Sequence, residues 1–188
     1  GHYAFQNNRL TSANIPDSLT EIGTYTFQDN RLTSVIIPDS VTHIANGAFY
    51  KNQLTSLIIG KSVTHIRERA FSNNQLPSIT IPASITYLSN NAFSDNRLTK
   101  VSFLGVRPAF SAYPFIRNDG LSKISYCRGQ AGWPGNRISS ITPTSNFKCN
   151  IDSDSDGISD ADELGIGTGR CVADTDGDGA VDGQDSAP

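Results

Sequence analysis

The stretch Asn30-Arg31-Leu32-Thr33-Ser34-Val35-Ile36-Ile37-Pro38-Asp39-Ser40-Val41-Thr42-His43-Ile44, closed by Phe49, decides the fold because it recurs. Phe5, Phe27, Phe49, Phe71 and Phe93 stand 22 positions apart, as do Leu10, Leu32, Leu54, Leu76 and Leu98, and Asn8, Asn30, Asn52, Asn74 and Asn96. A fixed period of this length, without drift, is the mark of a solenoid, in which each repeat is one coil stacked on the next. Function follows less directly, because a solenoid is a surface on which many things bind.

Within the second coil the apolar positions are Leu32, Val35, Ile37, Val41, Ile44 and Phe49. The columns hold from coil to coil: Ala13, Val35, Leu57, Ile79 and Val101 in one, and Ile15, Ile37, Ile59, Ile81 and Phe103 in another. Leu32, Val35 and Ile37 have the leucine-rich-repeat spacing, and the last two alternate as in a short strand. One coil buries too few apolar side chains to offset the entropy lost in ordering its backbone, so coils must stack and bury each other's faces.

Polar residues keep columns of their own. Asn8 to Asn96 precede each strand, at a turn whose backbone groups are buried between coils and which an amide side chain can both donate to and accept from. Ser18, Ser40, Ser62 and Ser84 form a second column, and Thr20, Thr42, Thr64 and Thr86 a third. All three read as hydrogen-bonded ladders, since buried polar groups are paired. Pro16, Pro38 and Pro82 end the strand, because proline lacks the ladder donor.

These columns carry a resemblance. The pattern "L-T-x-[IV]-x-I-P-x-S-[VI]-T-x-I", followed by Ala48-Phe49, Ala70-Phe71 and Ala92-Phe93, resembles the bacterial surface leucine-rich repeats of the BspA or treponemal type over roughly residues 1–111. Tyr126 to Trp133 resembles the "Y-x-x-G-x-x-G-W" ending of such arrays. The expected fold is a β-rich leucine-rich-repeat solenoid of the α/β horseshoe class, with short strands and helical turns. The resemblance implies export to a bacterial cell surface or beyond, and adhesion to a protein or glycan.

The chain has 188 residues and three domains are expected: the 22-residue repeat array at 1–111, a C-terminal cap at 112–149 and an acidic region at 150–188. The first residues, His2-Tyr3-Ala4-Phe5, read as the tail of a coil, so a fragment of a longer protein is expected. Leu104-Gly105-Val106-Arg107-Pro108 breaks the repeat template, and end coils are atypical because they must hide an open face. Phe110, Tyr113, Phe115, Ile116, Leu121, Ile124, Tyr126 and Trp133 read as cap core, with a sugar-stacking Trp133 as the other reading. Thr142 to Asn146 reads as a loop or linker. The net charge of −3 is split: residues 1–149 carry +7 and residues 150–188 carry −10. That asymmetry points to an anionic partner for the basic part or to internal compensation. Neither nucleic acid nor membrane insertion is expected, since no apolar run is long enough to span a bilayer. Three cysteines make no disulfide framework and no zinc spacing. Cys127 and Cys149 flank one compact stretch and could pair, one disulfide being plausible if the resemblance to exported proteins holds.

Residues 152–163 read Asp-Ser-Asp-Ser-Asp-Gly-Ile-Ser-Asp-Ala-Asp-Glu. Asp152, Asp154 and Asp156 occupy calcium-loop positions 1, 3 and 5, Gly157 the bend, Ile158 the carbonyl position, and Asp160 and Glu163 positions 9 and 12. A hard cation takes about six to eight oxygens, and alternating carboxylates in a bent loop aim at one centre. A second copy runs Asp174, Asp176, Asp178, Ala180, Asp182 and Asp185, with the shorter Asp at position 12. The other reading is a disordered acidic tail. Leu164 to Gly169 is too glycine-rich for a flanking helix. The pair instead resembles thrombospondin type 3 calcium repeats, a mostly irregular appendage whose order depends on Ca2+.

Weaker constellations remain. His43 and His65 are column neighbours close enough to share a zinc, yet two ligands do not complete a site, and the column reads as plain surface. Asn14, Ile36, Ile58, Thr80 and Ser102 should point outward from the strands, where Ile36 and Ile58 form an apolar spot flanked by Ser34, Ser56 and Lys100, the candidate partner-binding residues. Arg9, Arg31 and Arg97 read as a solvated edge or a contact for sulfated or phosphorylated polymers. No activated nucleophile and no phosphate-cradling turn is present, so no enzyme is expected. The function expected is a calcium-stabilised binding module. The alternatives are a structural spacer and a targeting appendage of a larger exported protein or hydrolase.

Overall fold

The computed structural model describes residues 1–111, 113–127 and 144–147. They form a β-solenoid in which the first coil contributes one short strand and the next four contribute two each, with a turn between. The strands are β1 (Glu21–Ile22), β2 (Ser34–Ile36), β3 (His43–Ile44), β4 (Ser56–Ile58), β5 (His65–Ile66), β6 (Ser78–Ile81), β7 (Tyr87–Leu88), β8 (Lys100–Phe103), β9 (Ala109–Phe110), β10 (Lys123–Cys127) and β11 (Thr144–Phe147). All pairings are parallel, as a stack of like coils requires.

Two sides of the coil carry ladders. The odd strands β1-β3-β5-β7-β9 make one unbroken five-stranded sheet, in a register of one repeat: Glu21↔His43, His43↔His65, His65↔Tyr87 and Tyr87↔Ala109. The other side is divided. There β2 pairs only with β4, while β11-β10-β8-β6 form a separate four-stranded sheet. Lys123 lies opposite Lys100, so one residue has been added to the period at this step. Residues 144–146, expected as part of a loop or linker, instead lie with Phe147 on β11, which pairs with β10.

The third side was expected to be helical. Among the described residues there is no helix, and hence none long and apolar enough to cross a membrane. A stacked turn takes its place, with two left-handed residues per coil. Tyr3, Tyr25, Gly47, Arg69 and Asn91 form one such column, with φ between 53° and 58°. Asn7, Asp29, Lys51, Asn73, Asp95 and Arg117 form the other. A turn of this kind points alternate N–H groups along the solenoid axis: Gly47 N–H donates to Glu68 O (2.8 Å), Phe49 N–H to Ala70 O (2.8 Å) and Lys51 N–H to Ser72 O (3.1 Å). A helix would have kept those bonds within the coil. Gly47 is also spatially required, since a Cβ there would stand 2.1 Å from the Tyr25 ring.

The core is a column of rings. Phe5, Phe27, Phe49, Phe71, Phe93 and Phe115 stack with centroids 5.2–5.7 Å apart and planes within 16° of parallel. That spacing follows the separation of neighbouring strands with a small offset, the arrangement that aromatic faces prefer. Leu32, Leu54, Leu76 and Leu98, with Ile44, Ile66 and Leu88, are fully buried around it.

The asparagine ladder was expected and is present from Asn30 onward, while the exposed Asn8 donates to Gln6 O at 3.0 Å instead. Asn52 Nδ2 donates to the carbonyls of Phe27 (2.8 Å) and Phe49 (3.2 Å), while its Oδ1 accepts from Leu32 N–H (3.1 Å). Asn30, Asn74, Asn96 and Asn118 repeat these contacts. Thr42, Thr64 and Thr86 each donate their hydroxyl to the threonine carbonyl one coil back, at 3.1 Å. Ser40 and Ser84 donate to Leu19 O and Val63 O. The columns run past residue 111, because Phe115 and Asn118 hold the phenylalanine and asparagine places of a sixth coil.

Candidate functional site

The divided sheet faces outward, and its division lies between the third and fourth coils. The cause is local. The column Thr11, Thr33, Thr55, Pro77 and Thr99 carries a donor everywhere except at Pro77. Thr55 N–H reaches Thr33 O, and Thr99 N–H reaches Pro77 O, both at 2.9 Å. Pro77 has no N–H to return to Thr55, so the ladder does not start, as expected for a proline facing a strand. The first coil also lacks a ladder to β2. Gly60 acts in the opposite sense on the other side of the third coil. A Cβ there would stand 2.5 Å from Pro38 O, so this coil lies tight against the second.

The result is a cleft of about 350 Å³ between β4 and β6. Leu57, Ile58, Ile59, Ile79, Pro82 and Leu104 provide its apolar walls, and Thr55, Ser56, Ser78 and Thr80 its polar ones. Leu57 shows the effect on the core. Val35 and Ile79, its column neighbours, are 3% and 4% exposed, whereas Leu57 is half-buried. Two strand edges therefore face the same opening without pairing to each other.

Four of the expected contact residues come together beside this cleft. Ser34 lies opposite Ser56, and Ile36 opposite Ile58, on the paired strands β2 and β4. Ile36 is 64% exposed and Ile58 56%. Lys100 does not join them. It lies on β8, opposite Ser78 and Lys123, beyond the cleft. Ser102, expected on the same open face, is instead buried, with its Oγ 3.4 Å from that of Ser125. The open part of the face thus lies on the first four coils, where Asn14, Ile36, Ile58 and Thr80 are exposed. Leu57 and Pro77 were missed from sequence. The available signal was Pro77 itself, which departs from its threonine column.

The histidine column lies on the undivided sheet. The rings of His43 and His65 are stacked, with centroids 4.8 Å apart and planes 19° from parallel, and Tyr87 follows at 5.9 Å. Thr42 Oγ1 lies 2.9 Å from His43 Nδ1, and Thr64 Oγ1 2.9 Å from His65 Nδ1. Burial first, then the neighbouring His43 and Arg67, holds the His65 imidazolium below its ordinary pKa. Among the described residues no group of three or more His, Cys, Asp or Glu side chains could hold a metal ion. The twelve expected calcium positions, from Asp152 to Asp185, lie outside the described residues, as do Trp133, Cys149 and Cys171.

Comparison with known proteins bears on the array. A family model described as the BspA type leucine-rich repeat region matches residues 1–122 in six copies. None of the curated proteins compared matches the chain.

Proposed function

The chain belongs to the BspA-type leucine-rich-repeat family, and we propose that its array is a non-catalytic module that binds a protein partner at the Ile36–Ile58 face and the adjoining cleft. Repeats of this type are typical of bacterial surface or secreted proteins and are commonly used in binding. The observation that carries the reading is the adjacent, exposed pair Ile36 and Ile58 beside the break in the sheet. Apolar side chains in neighbouring register, next to unpaired strand edges, suit a polypeptide better than a glycan: a strand-forming segment satisfies backbone donors and acceptors and fills apolar pockets together. The alternatives, a spacer or a targeting appendage of an exported hydrolase, give this face no partner.

The test is binding of the whole chain to immobilised extracellular-matrix proteins and, in parallel, to matrix glycans. Wild-type protein should be retained on a protein surface, and Ile36→Asp/Ile58→Asp should weaken retention at least about tenfold, the effect of losing about 1.4 kcal/mol. Both side chains are exposed, so the melting temperature should hold. Equal retention of the variant would overturn the site, and no retention on any surface would favour the spacer.

The same proposal includes Ca2+ at 150–188. Asp152, Asp154, Asp156, Ile158, Asp160 and Glu163 supply a full set of hard oxygen donors, and Asp174, Asp176, Asp178, Ala180, Asp182 and Asp185 a second set with one shorter carboxylate. Calorimetry of the whole chain should find close to two ions bound. Excess chelator should raise the amide exchange of residues 150–188 while leaving the array's asparagine amides protected. No heat of binding would remove calcium from the account.

A further inference from the structure

We propose that His43 and His65 form a two-imidazole site for a first-row transition-metal ion, Zn2+, Ni2+ or Cu2+, on the undivided sheet. The site does not depend on partner binding. A threonine hydroxyl has one hydrogen. Thr42 Oγ1 lies 3.1 Å from Thr20 O, and Thr64 Oγ1 3.1 Å from Thr42 O. That hydrogen can go to the carbonyl, which also accepts a backbone N–H at 2.9 Å, or to the histidine Nδ1 at 2.9 Å. In the proposed site the carbonyl receives it, Nδ1–H of each histidine donates to the threonine oxygen, and the lone pair of each neutral ring stands on Nε2.

That is the form in which histidine binds metals. A ligating imidazole gives its other N–H to an oxygen, which sets the tautomer and the ring orientation. Here two such rings sit in direct register on neighbouring parallel strands, stacked within 19° of parallel, so the two Nε2 atoms face the same way. Among the described residues, no hydrogen bond takes either Nε2. With bonds of about 2.0–2.1 Å to each nitrogen, a tetrahedral ion holds the two nitrogens about 3.3 Å apart. The rings, at 4.8 Å, need to lean together by about 1.5 Å, and half-exposed side chains have room to do so.

The surroundings set the limits of the site. Glu21 is opposite His43 on the outer side and adds negative charge, whereas Arg67 lies near His65 and opposes a cation. The Tyr87 hydroxyl is engaged with Ser111 at 2.7 Å and does not supply a third ligand. Two imidazoles leave the other positions to water or to donors on another molecule. Imidazole selects Zn2+, Ni2+ or Cu2+ over the hard ions that suit carboxylate loops. The two kinds of metal site on this chain are thus distinct in chemistry.

The test reads the rings themselves, because His2, the chain terminus and the cysteines also take these ions. Long-range 1H–15N spectra of the whole chain, in excess Ca2+, are recorded during titration with Zn2+. Before addition, both rings should show the Nδ1–H tautomer. On addition, Nε2 of His43 and of His65 should shift together with one shared dissociation constant. His43→Gln should weaken the His65 response at least about tenfold. Thr64→Val, which keeps the side-chain shape, should weaken it about tenfold by releasing the tautomer. An Nε2–H tautomer, independent titration of the two rings, or an unchanged His65 response in His43→Gln would each overturn the proposal.

Discussion

At the scale of single residues, the asparagine column does more for the fold than its modest size suggests. Asn74 serves three backbone groups at once, the carbonyls of Phe49 and Phe71 and the N–H of Leu54. It is 7% exposed, so water cannot replace it. Asn74→Ala should destabilise the chain by about 1–3 kcal/mol, because Leu54 N–H is left unpaired while the carbonyls of Phe49 and Phe71 keep Asn52 and Asn96. Urea denaturation should show a lower midpoint with an unchanged slope. Asn74→Asp should be no better, since a carboxylate has no N–H to offer either carbonyl. A loss below about 0.5 kcal/mol would mean that the column is not structural. This role was legible because one residue type repeats without exception. The left-handed turn positions were not legible, although they repeat as strictly. Tyr, Gly, Arg and Asn share one column, and Asn, Asp, Lys and Arg the other. Hydrogen bonds to the next coil force that backbone on whichever residue is there, so identity carries no signal. The helical turn was an expectation drawn from the leucine-rich-repeat resemblance.

At the scale of elements, the question is why one ladder is broken and the other is not. The threonines of the odd-strand sheet donate from both backbone and hydroxyl, so three of its four steps are bonded twice, while at the last, where Pro108 takes the threonine place, Ala109 N–H bonds Thr86 O. On the opposite side a single proline removes the first bond of the step. Pro77→Thr restores the donor. Two effects then oppose each other: a recovered hydrogen bond of about 0.5–1.5 kcal/mol, and the loss of about 0.4–1 kcal/mol from a freer unfolded chain. Net stability should therefore move by less than about 1 kcal/mol. The sensitive measurement is amide exchange. Residues 77–80 should gain protection, and partner retention at the Ile36–Ile58 face should fall as the cleft closes. Unchanged exchange would show that Pro77 is not the cause. The strands themselves were legible from Leu32, Val35 and Ile37. Their pairing was not, because a proline read alone marks the end of a strand and gives no hint that its neighbour one coil back loses a partner. Ser102 was misplaced for a related reason: alternation predicts which way a side chain points, but not that neighbouring structure closes over it.

At the scale of the whole molecule, a solenoid is a sum of coils and of contacts between nearest neighbours. Phe71 has a ring on either side and is fully buried, whereas Phe5 is 48% exposed with one ring beside it. Phe71→Ala should cost about 3–5 kcal/mol. Phe5→Ala should cost less than about 1 kcal/mol. Equal costs in thermal or urea unfolding would contradict the nearest-neighbour picture. The solenoid and its family were legible as soon as the period was seen. The face that carries the exposed isoleucines was legible too, while the cleft beside it depends on a gap between two coils, which no single repeat encodes. The broken ladder also has a mechanical meaning. A protein held at a cell surface and pulled along its solenoid axis bears load through its coil junctions in series. Between the third and fourth coils the load rests on the odd-strand sheet, the turns, the asparagine ladder and the ring stack, without the second sheet. Tension would part the chain there first, prising β4 from β6 while the opposite side holds like the spine of a book.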